Sequence, residues 1–243
     1  MNGKKMIIPA ILEKDFEEIK KKIALLKNEA RFFHIDVADG AFVPNTTFLE
    51  GEKMQEIIDN FGAYEVLNSR DFVNSNMKIG FEAHLMVERP HDHYNKWTAG
   101  GASVIIFHIE SFFNIKWKLR EFAVNNLCRL IKKNGAQAAL ALNPETKIDL
   151  IEPYLMKNIF RVHFLSVQPG FQGNNFIPEV INKIRSLKQK YPSVKISVDG
   201  SVNEKTIRDL KAAGAEIFGV GSAIYKAQDQ IEAFRKLQQL LNL

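Results

Sequence analysis

A single cysteine, Cys128, stands in the 243-residue chain, which excludes a disulfide framework. Glycine (14) and proline (8) are too scarce for a collagen-like or linker protein. No uncharged apolar stretch approaches the ~20 residues needed to cross a bilayer. Residues 1–12 carry two lysines and a short apolar run broken by Pro9, not a signal-peptide core. A dominant charge is missing too: 33 Lys+Arg against 28 Asp+Glu leave +5, weak grounds for a nucleic-acid partner and as well suited to handling small anions. The expectation is a cytoplasmic protein with neither a membrane nor a nucleic acid as partner. Cys128 sits at helical spacing in Asn-Leu-Cys-Arg-Leu and reads as a buried thiol in a reducing compartment. What the chain does have is 46% apolar residues, enough to offset the entropy of ordering it.

Those apolar residues alternate between short runs rich in Ile, Val and Phe and longer stretches with helical periodicity. The runs fall at 6–12, 31–37, 78–86, 103–109, 137–142, 161–167, 194–198 and 216–220. The helical stretches fall at 15–28, 48–61, 90–99, 117–133, 147–155, 178–190, 204–213 and 230–241. Gly101-Ala102, Gly135-Ala136 and Gly214-Ala215 each close a helical pattern just before an apolar run, the expected left-handed stop of a helix. Strands joined through helices pair in parallel. Eight such units in one chain of this length, with no linker-like composition shift, predict a single α/β domain over 1–243, a closed (β/α)8 TIM barrel. An open doubly wound sheet is the rival, but no G-x-G-x-x-G follows the first strand.

A parallel barrel carries its reactive groups at the carboxyl ends of its strands. The second strand ends Phe-His34-Ile-Asp36-Val-Ala-Asp39-Gly40, the third Glu-Ala-His84-Leu-Met86, and the seventh Val198-Asp199-Gly200-Ser201. His34 and Asp36 are two apart and share one face of their strand. Charges on an inner barrel face need partners. Two imidazoles and two carboxylates would serve as ligands for one divalent cation, with zinc, iron, manganese and cobalt all suited to nitrogen and oxygen donors. A salt-bridged His34–Asp199 pair accounts for the same residues. The glycines around Gln168-Pro-Gly170-Phe171-Gln172-Gly173 and Gly219-Val-Gly221-Ser222 either let backbone N–H groups approach a phosphate or only make tight turns. His108 and Glu110 end the fourth strand and either touch substrate or pair with a neighbour. His91 and His93 read as surface residues. His163, early in its strand, reads as structural.

With these motifs in order along nearly the whole chain, the sequence resembles the ribulose-phosphate 3-epimerases and the related allulose-6-phosphate 3-epimerases. The matching strings are Pro9-Ala-Ile-Leu, His34-Ile-Asp-Val-Ala-Asp-Gly-Ala-Phe-Val-Pro-Asn45, His84-Leu-Met-Val, Ala141-Leu-Asn-Pro144, Val167-Gln-Pro-Gly-Phe-Gln-Gly173, Phe176-Ile-Pro, Val198-Asp-Gly200 and Gly221-Ser-Ala-Ile224. The resemblance implies an isomerase of carbohydrate metabolism that epimerises a phosphorylated ketose. Ribulose 5-phosphate and xylulose 5-phosphate are the first expectation, and allulose 6-phosphate the alternative. It implies one divalent metal ion on His34, Asp36, His84 and Asp199, with Asp36 and Asp199 also the acid/base pair. It implies substrate contacts from His84, Gly170, Phe171, Gln172, Gly173, Gly200, Ser201, Gly221 and Ser222, and a homo-oligomer.

The sequence departs from the family pattern at Ala10 (usually serine), at Ala38 and Leu165 (usually methionine), at Gln172 (commonly glycine) and at Ser201 (usually glycine). These changes predict a kept reaction with an altered sugar pocket, or a catalytically weak sugar-phosphate-binding barrel. Residues 62–77 look long and read as an oligomer contact or surface embellishment at the bottom. Residues 111–116, with Phe112 and Phe113, read as a lid or a dimer contact at the top.

Overall fold

The computed structural model describes residues 5–61, 79–155, 157–171 and 173–242. Residues 62–77 therefore lie outside the described residues, as does Gln172. Among the described residues eight strands run β1 (Met6–Ile11), β2 (Phe32–Ala38), β3 (Gly80–Met86), β4 (Val104–His108), β5 (Gln137–Leu142), β6 (Arg161–Leu165), β7 (Lys195–Asp199) and β8 (Ile217–Val220). Each pairs in parallel with the next, and β8 pairs with β1, so the sheet closes on itself. This is the (β/α)8 barrel expected from the alternation of apolar runs.

The outer ring contains α1 (Phe16–Leu26), α2 (Gln55–Phe61), α3 (Tyr94–Ala99), α4 (Trp117–Lys133), α5 (Glu179–Lys190), α6 (Ile207–Ala213), α7 (Ser222–Tyr225) and α8 (Gln230–Asn242). The sequence explains α1 well. The Asp15 carboxylate accepts the N–H groups of Glu17 at 2.8 Å and Glu18 at 3.2 Å, capping the helix, while Ile19, Ile23 and Leu26 form its buried stripe. Gly101, Gly135 and Gly214 all take positive φ (92°, 85° and 113°), as helix-ending glycines should. Cys128 is buried on α4.

The helix expected at 147–155 is absent. Two single-turn 3-10 helices, Ile148–Leu150 and Glu152–Tyr154, take its place. Pro153 has no N–H to continue an α-helix, and it disfavours helical geometry at Glu152. The short α7 was not foreseen. At 111–116, Phe112 is buried, while Phe113 is 41% and Trp117 47% exposed. The Arg120 side chain donates to the carbonyls of Phe112, Phe113 and Ile115, tying this segment to α4.

The barrel interior has two levels. Ile8, Phe32, Val104, Ile106, Ala139, Ala141 and Ile217 pack as an apolar plug. On β2 and β4 the next inward positions turn polar, from Phe32 to His34 and from Ile106 to His108, and His34, Glu82, His84, His108, Arg161, His163 and Ser197 are all buried. A polar layer this deep is stable only if its members satisfy one another.

Candidate active site at the carboxyl ends of the strands

The structure brings together the four residues singled out as ligands. His34 Nε2 lies 3.1 Å from Asp36 Oδ1, 3.3 Å from His84 Nδ1 and 3.9 Å from Asp199 Oδ2. His84 Nδ1 lies 2.9 Å from Asp36 Oδ1. The simple His34–Asp199 salt bridge is thus too narrow a description, since four donors converge. His163 joins them. One donor atom each from His34, His84, His163 and Asp199 lie within 4.8 Å of one another. The His163 ring stacks on His34, with centroids 5.3 Å apart, and tilts against His84 at 4.7 Å. Its reading as a merely structural residue away from the mouth missed this.

A second set of residues fixes the imidazoles from behind. Glu82 Oε1 lies 2.6 Å from His34 Nδ1, and both Glu82 oxygens accept from Arg161, at 2.6 and 2.9 Å. Such a two-pronged guanidinium–carboxylate pair holds its geometry strongly. His84 Nε2 lies 2.9 Å from His108 Nε2, and His108 Nδ1 lies 3.1 Å from Glu110 Oε2. Glu110 Oε1 also accepts the Asn143 N–H at 2.8 Å. His108 and Glu110 therefore pair with neighbours, one of the two expectations for them. Partners on the far nitrogens fix the ring orientations of His34 and His84 and aim their near nitrogens at Asp36. His91 and His93 are half-buried and stand apart from this cluster.

Burial and charge pull these groups apart in acidity. Burial alone would lower His34, but the Asp36 and Glu82 carboxylates outweigh it and raise the imidazole to about 10. Burial alone would raise Asp36, yet His34 and His84 hold it well below the usual carboxylate range. Burial lowers His84 to about 4 despite Asp36. Burial and the Asp36 charge raise Asp199 to about 7. With no cation bound, the two aspartates divide into one ionised carboxylate and one group that titrates near neutrality.

A cavity opens above the two acids. Its walls include Asp36 and Asp199, the loop residues Gly170, Phe171 and Gly173, and Gly200, Ser201, Gly221 and Ser222. Seven of the expected substrate contacts thus face one space with both acids. His84 points its nitrogen at Asp36 and does not line the cavity wall. Ala10 and Leu165 do line it. Ala38 does not: it is buried against Val43 and Met86, with Leu12 and Phe42 packed on them. The room left by its small side chain is therefore taken up by protein. Gly219 was noted only for its loop, but it serves Asp199 directly. A Cβ there would lie 3.0 Å from Asp199 Oδ1, so the missing side chain makes room for the carboxylate.

Residues 6–225 match the family model described as the ribulose-phosphate 3 epimerase family. The chain belongs to the ribulose-phosphate 3-epimerase family. It is 34% identical over 242 residues to a "Ribulose-phosphate 3-epimerase" of Aquifex aeolicus, covering 98% of this chain and 97% of that one. It is 31% identical over 229 residues to the protein of the same name in Escherichia coli, covering 92% of this chain and 90% of the other. Among solved structures, 3-hexulose-6-phosphate synthase from Salmonella typhimurium superposes with a TM-score of 0.68 at 15% identity, over 97% of this chain and 98% of that one. That likeness concerns the barrel alone. Within this epimerase family member, the donor chemistry of the cluster fits a divalent cation: imidazole nitrogens and carboxylate oxygens converge, and the buried Nε2 of His163 has no hydrogen-bond partner among the described residues.

Two predictions concern the supporting layer. Arg161→Met leaves Glu82 with His34 as its only strong partner and should cost about 3 kcal/mol of stability. Urea denaturation measures this, and a loss below about 1 kcal/mol would show the guanidinium to be dispensable. Burial acts to raise Glu82, but Arg161 and His34 pull its carboxyl down to about 2 from an ordinary 4.5. Below pH 4.5 the unfolded chain takes up a proton that the folded chain refuses, so ion-free protein should lose stability as pH falls from 4.5 towards 2. Asp36 acts in the same direction. Midpoints of urea unfolding that stay flat across this window would contradict the arrangement.

Proposed function

We propose that the protein is a 3-epimerase of a phosphorylated ketose, with ribulose 5-phosphate and xylulose 5-phosphate as the first-choice pair. The observation that carries this reading is the placement of two aspartates of opposite protonation tendency around His34 Nε2, at 3.1 and 3.9 Å, on the wall of a cavity rimmed by glycine loops. Epimerisation next to a ketone removes a carbon-bound proton from one face and returns one to the other. Asp36, ionised, is suited to take the proton. Asp199, which burial and the Asp36 charge keep partly protonated near pH 7, is suited to give one back from the opposite side. The transfer leaves Asp36 protonated and Asp199 ionised, the starting state for the reverse direction.

His34, Asp36, His84 and Asp199 would hold one divalent cation. When bound, it supplies positive charge that stabilises the enediolate formed between the two proton transfers. The chain's own residues do the rest. Glu82 and His108 orient the two imidazoles. The backbone around Gly170, Gly173, Gly221 and Ser222 binds the phosphate, and its distance from the acids fixes the sugar for reaction.

A second sugar is supported by Ser201. Its φ of 51° makes it the one non-glycine with positive φ among the described residues, and it lines the cavity where the family usually has glycine. Ala10 and Leu165 on the same wall also depart from the usual serine and methionine. These three changes favour allulose 6-phosphate as the alternative substrate.

Incubation with a panel of ketose phosphates in heavy water tests both readings. Deuterium should enter the carbon next to the ketone of the preferred sugar, and a binding protein without catalysis would incorporate none. Asp36→Asn and Asp199→Asn should each lower turnover about 10²–10⁴-fold with an unchanged circular dichroism spectrum. Retained turnover in either variant would remove that residue from proton transfer.

A further inference from the structure

The buried His163 imidazole has one nitrogen to spare. The ring is 1% exposed, and Nδ1 lies 2.9 Å from Ser197 Oγ. That hydroxyl oxygen already accepts from Arg161 Nε at 2.9 Å, and its own proton is directed at the Val162 carbonyl, 3.5 Å away. The hydrogen-bond assignment that satisfies all three has His163 donating its Nδ1–H to Ser197. Nε2 is then left as a bare lone pair, with no hydrogen-bond partner among the described residues. A buried acceptor with nothing to accept from is costly, and a packing role alone would be filled better by an apolar side chain. The ring itself lies against the cluster. His163 packs against the rings of both His34 and His84, and one donor atom from each of these three, with one from Asp199, fall within 4.8 Å of one another.

We propose that His163 donates its Nε2 to the same cation as His34, His84 and Asp199, giving this chain a third imidazole in its metal set beyond the four ligands assigned above. The inference rests on the metal reading of the site and sharpens it. Ser197 and Arg161 become positioning residues for the added ligand, since they determine which nitrogen keeps its proton. Three nitrogens bias the site towards zinc or cobalt over manganese or magnesium.

Cobalt(II)-loaded protein provides a readout independent of activity, because its visible absorption reports the ligands directly. His163→Leu and His163→Gln should each change the cobalt band positions or intensities and weaken zinc binding roughly 10–100-fold in competition with a chromophoric chelator. Circular dichroism checks that each variant is folded, and whichever of the two folds is the one read. His84→Ala is the control. If His84→Ala loses metal while the His163 variants keep the wild-type cobalt spectrum and zinc affinity within twofold, the His163 inference falls and the metal reading stands. If the wild-type protein binds neither cobalt nor zinc in a one-to-one ratio, both fall. A His163 variant that only lowers the thermal midpoint of ion-free protein, with the cobalt spectrum intact, also overturns the inference, because that is the mark of packing.

Discussion

The ion pair between Glu82 and Arg161, closed at 2.6 and 2.9 Å inside the barrel, is the constraint on which the site depends. Neither charge could remain there alone. Glu82 passes the constraint upward by holding His34 Nδ1, and His34 then presents Nε2 to Asp36, His84 and Asp199. Arg161 passes it sideways through Ser197 to His163. A buried pair of this kind adds little net stability compared with apolar residues of the same volume. What it contributes here is direction, since His34, His84 and His163 each have the nitrogen away from the cluster occupied, by Glu82, His108 and Ser197.

The barrel was legible in the sequence because its signals are local and repeated. Apolar runs, helical stripes and the three Gly-Ala joints each state the same topology, and no long-range information was needed to read them. The failures were also local in origin. Pro153 broke a periodic pattern that composition alone made look helical. The four ligand candidates are legible because they stand at the carboxyl ends of their strands, with His34 and Asp36 two apart on one face. The same rule applies to Glu82 and His84, to Arg161 and His163, and to Ser197 and Asp199. Each pair shares an inward face, so Glu82, Arg161, His163 and Ser197 were within reach of the argument that found Asp36. His163 reads as structural from the sequence because it lies early in its strand, away from the mouth, and the expectation of reactive groups at the carboxyl ends of the strands did not extend to Glu82, Arg161 and Ser197. Only the register of the closed sheet, with His34 beside Glu82 and His163 beside Ser197, reveals that these residues stack into one layer.

The cavity wall is less constrained than the layer behind it. Ser201 holds a left-handed backbone conformation, normally costly for a residue with a Cβ. Its hydroxyl donates to the Asn174 carbonyl, and Asn203 and Thr206 donate to its own carbonyl, at 2.8 and 2.9 Å. The surrounding loop thus over-determines the conformation, and the hydroxyl is spent on the loop. Ser201 therefore alters the cavity through shape more than through a free hydrogen bond. Gly219 works the other way, keeping space clear next to Asp199. Change at the wall and rigidity behind it are compatible because the wall is carried on strand ends and the loops that follow them, and the layer behind it on the strands themselves.

Charge accounting explains why a layer so deep can hold so many ionisable groups. With no cation bound, protonated His34 and Arg161 offset ionised Asp36 and Glu82, while burial keeps His84 and His163 neutral and leaves Asp199 close to its titration point. The layer is close to neutral overall, so its burial costs far less than the sum of its members. A divalent cation held by this cluster would take the place of the proton on His34, whose near nitrogen must offer a lone pair to serve as a ligand. The neutral His84 and His163 rings add donors without adding charge. The proton leaving His34 would offset one of the cation's two charges, so the layer would shift by one positive charge and not by two. A site built from carboxylates alone would carry a large uncompensated charge in the ion-free protein, and the apolar plug immediately below would make that state expensive to fold.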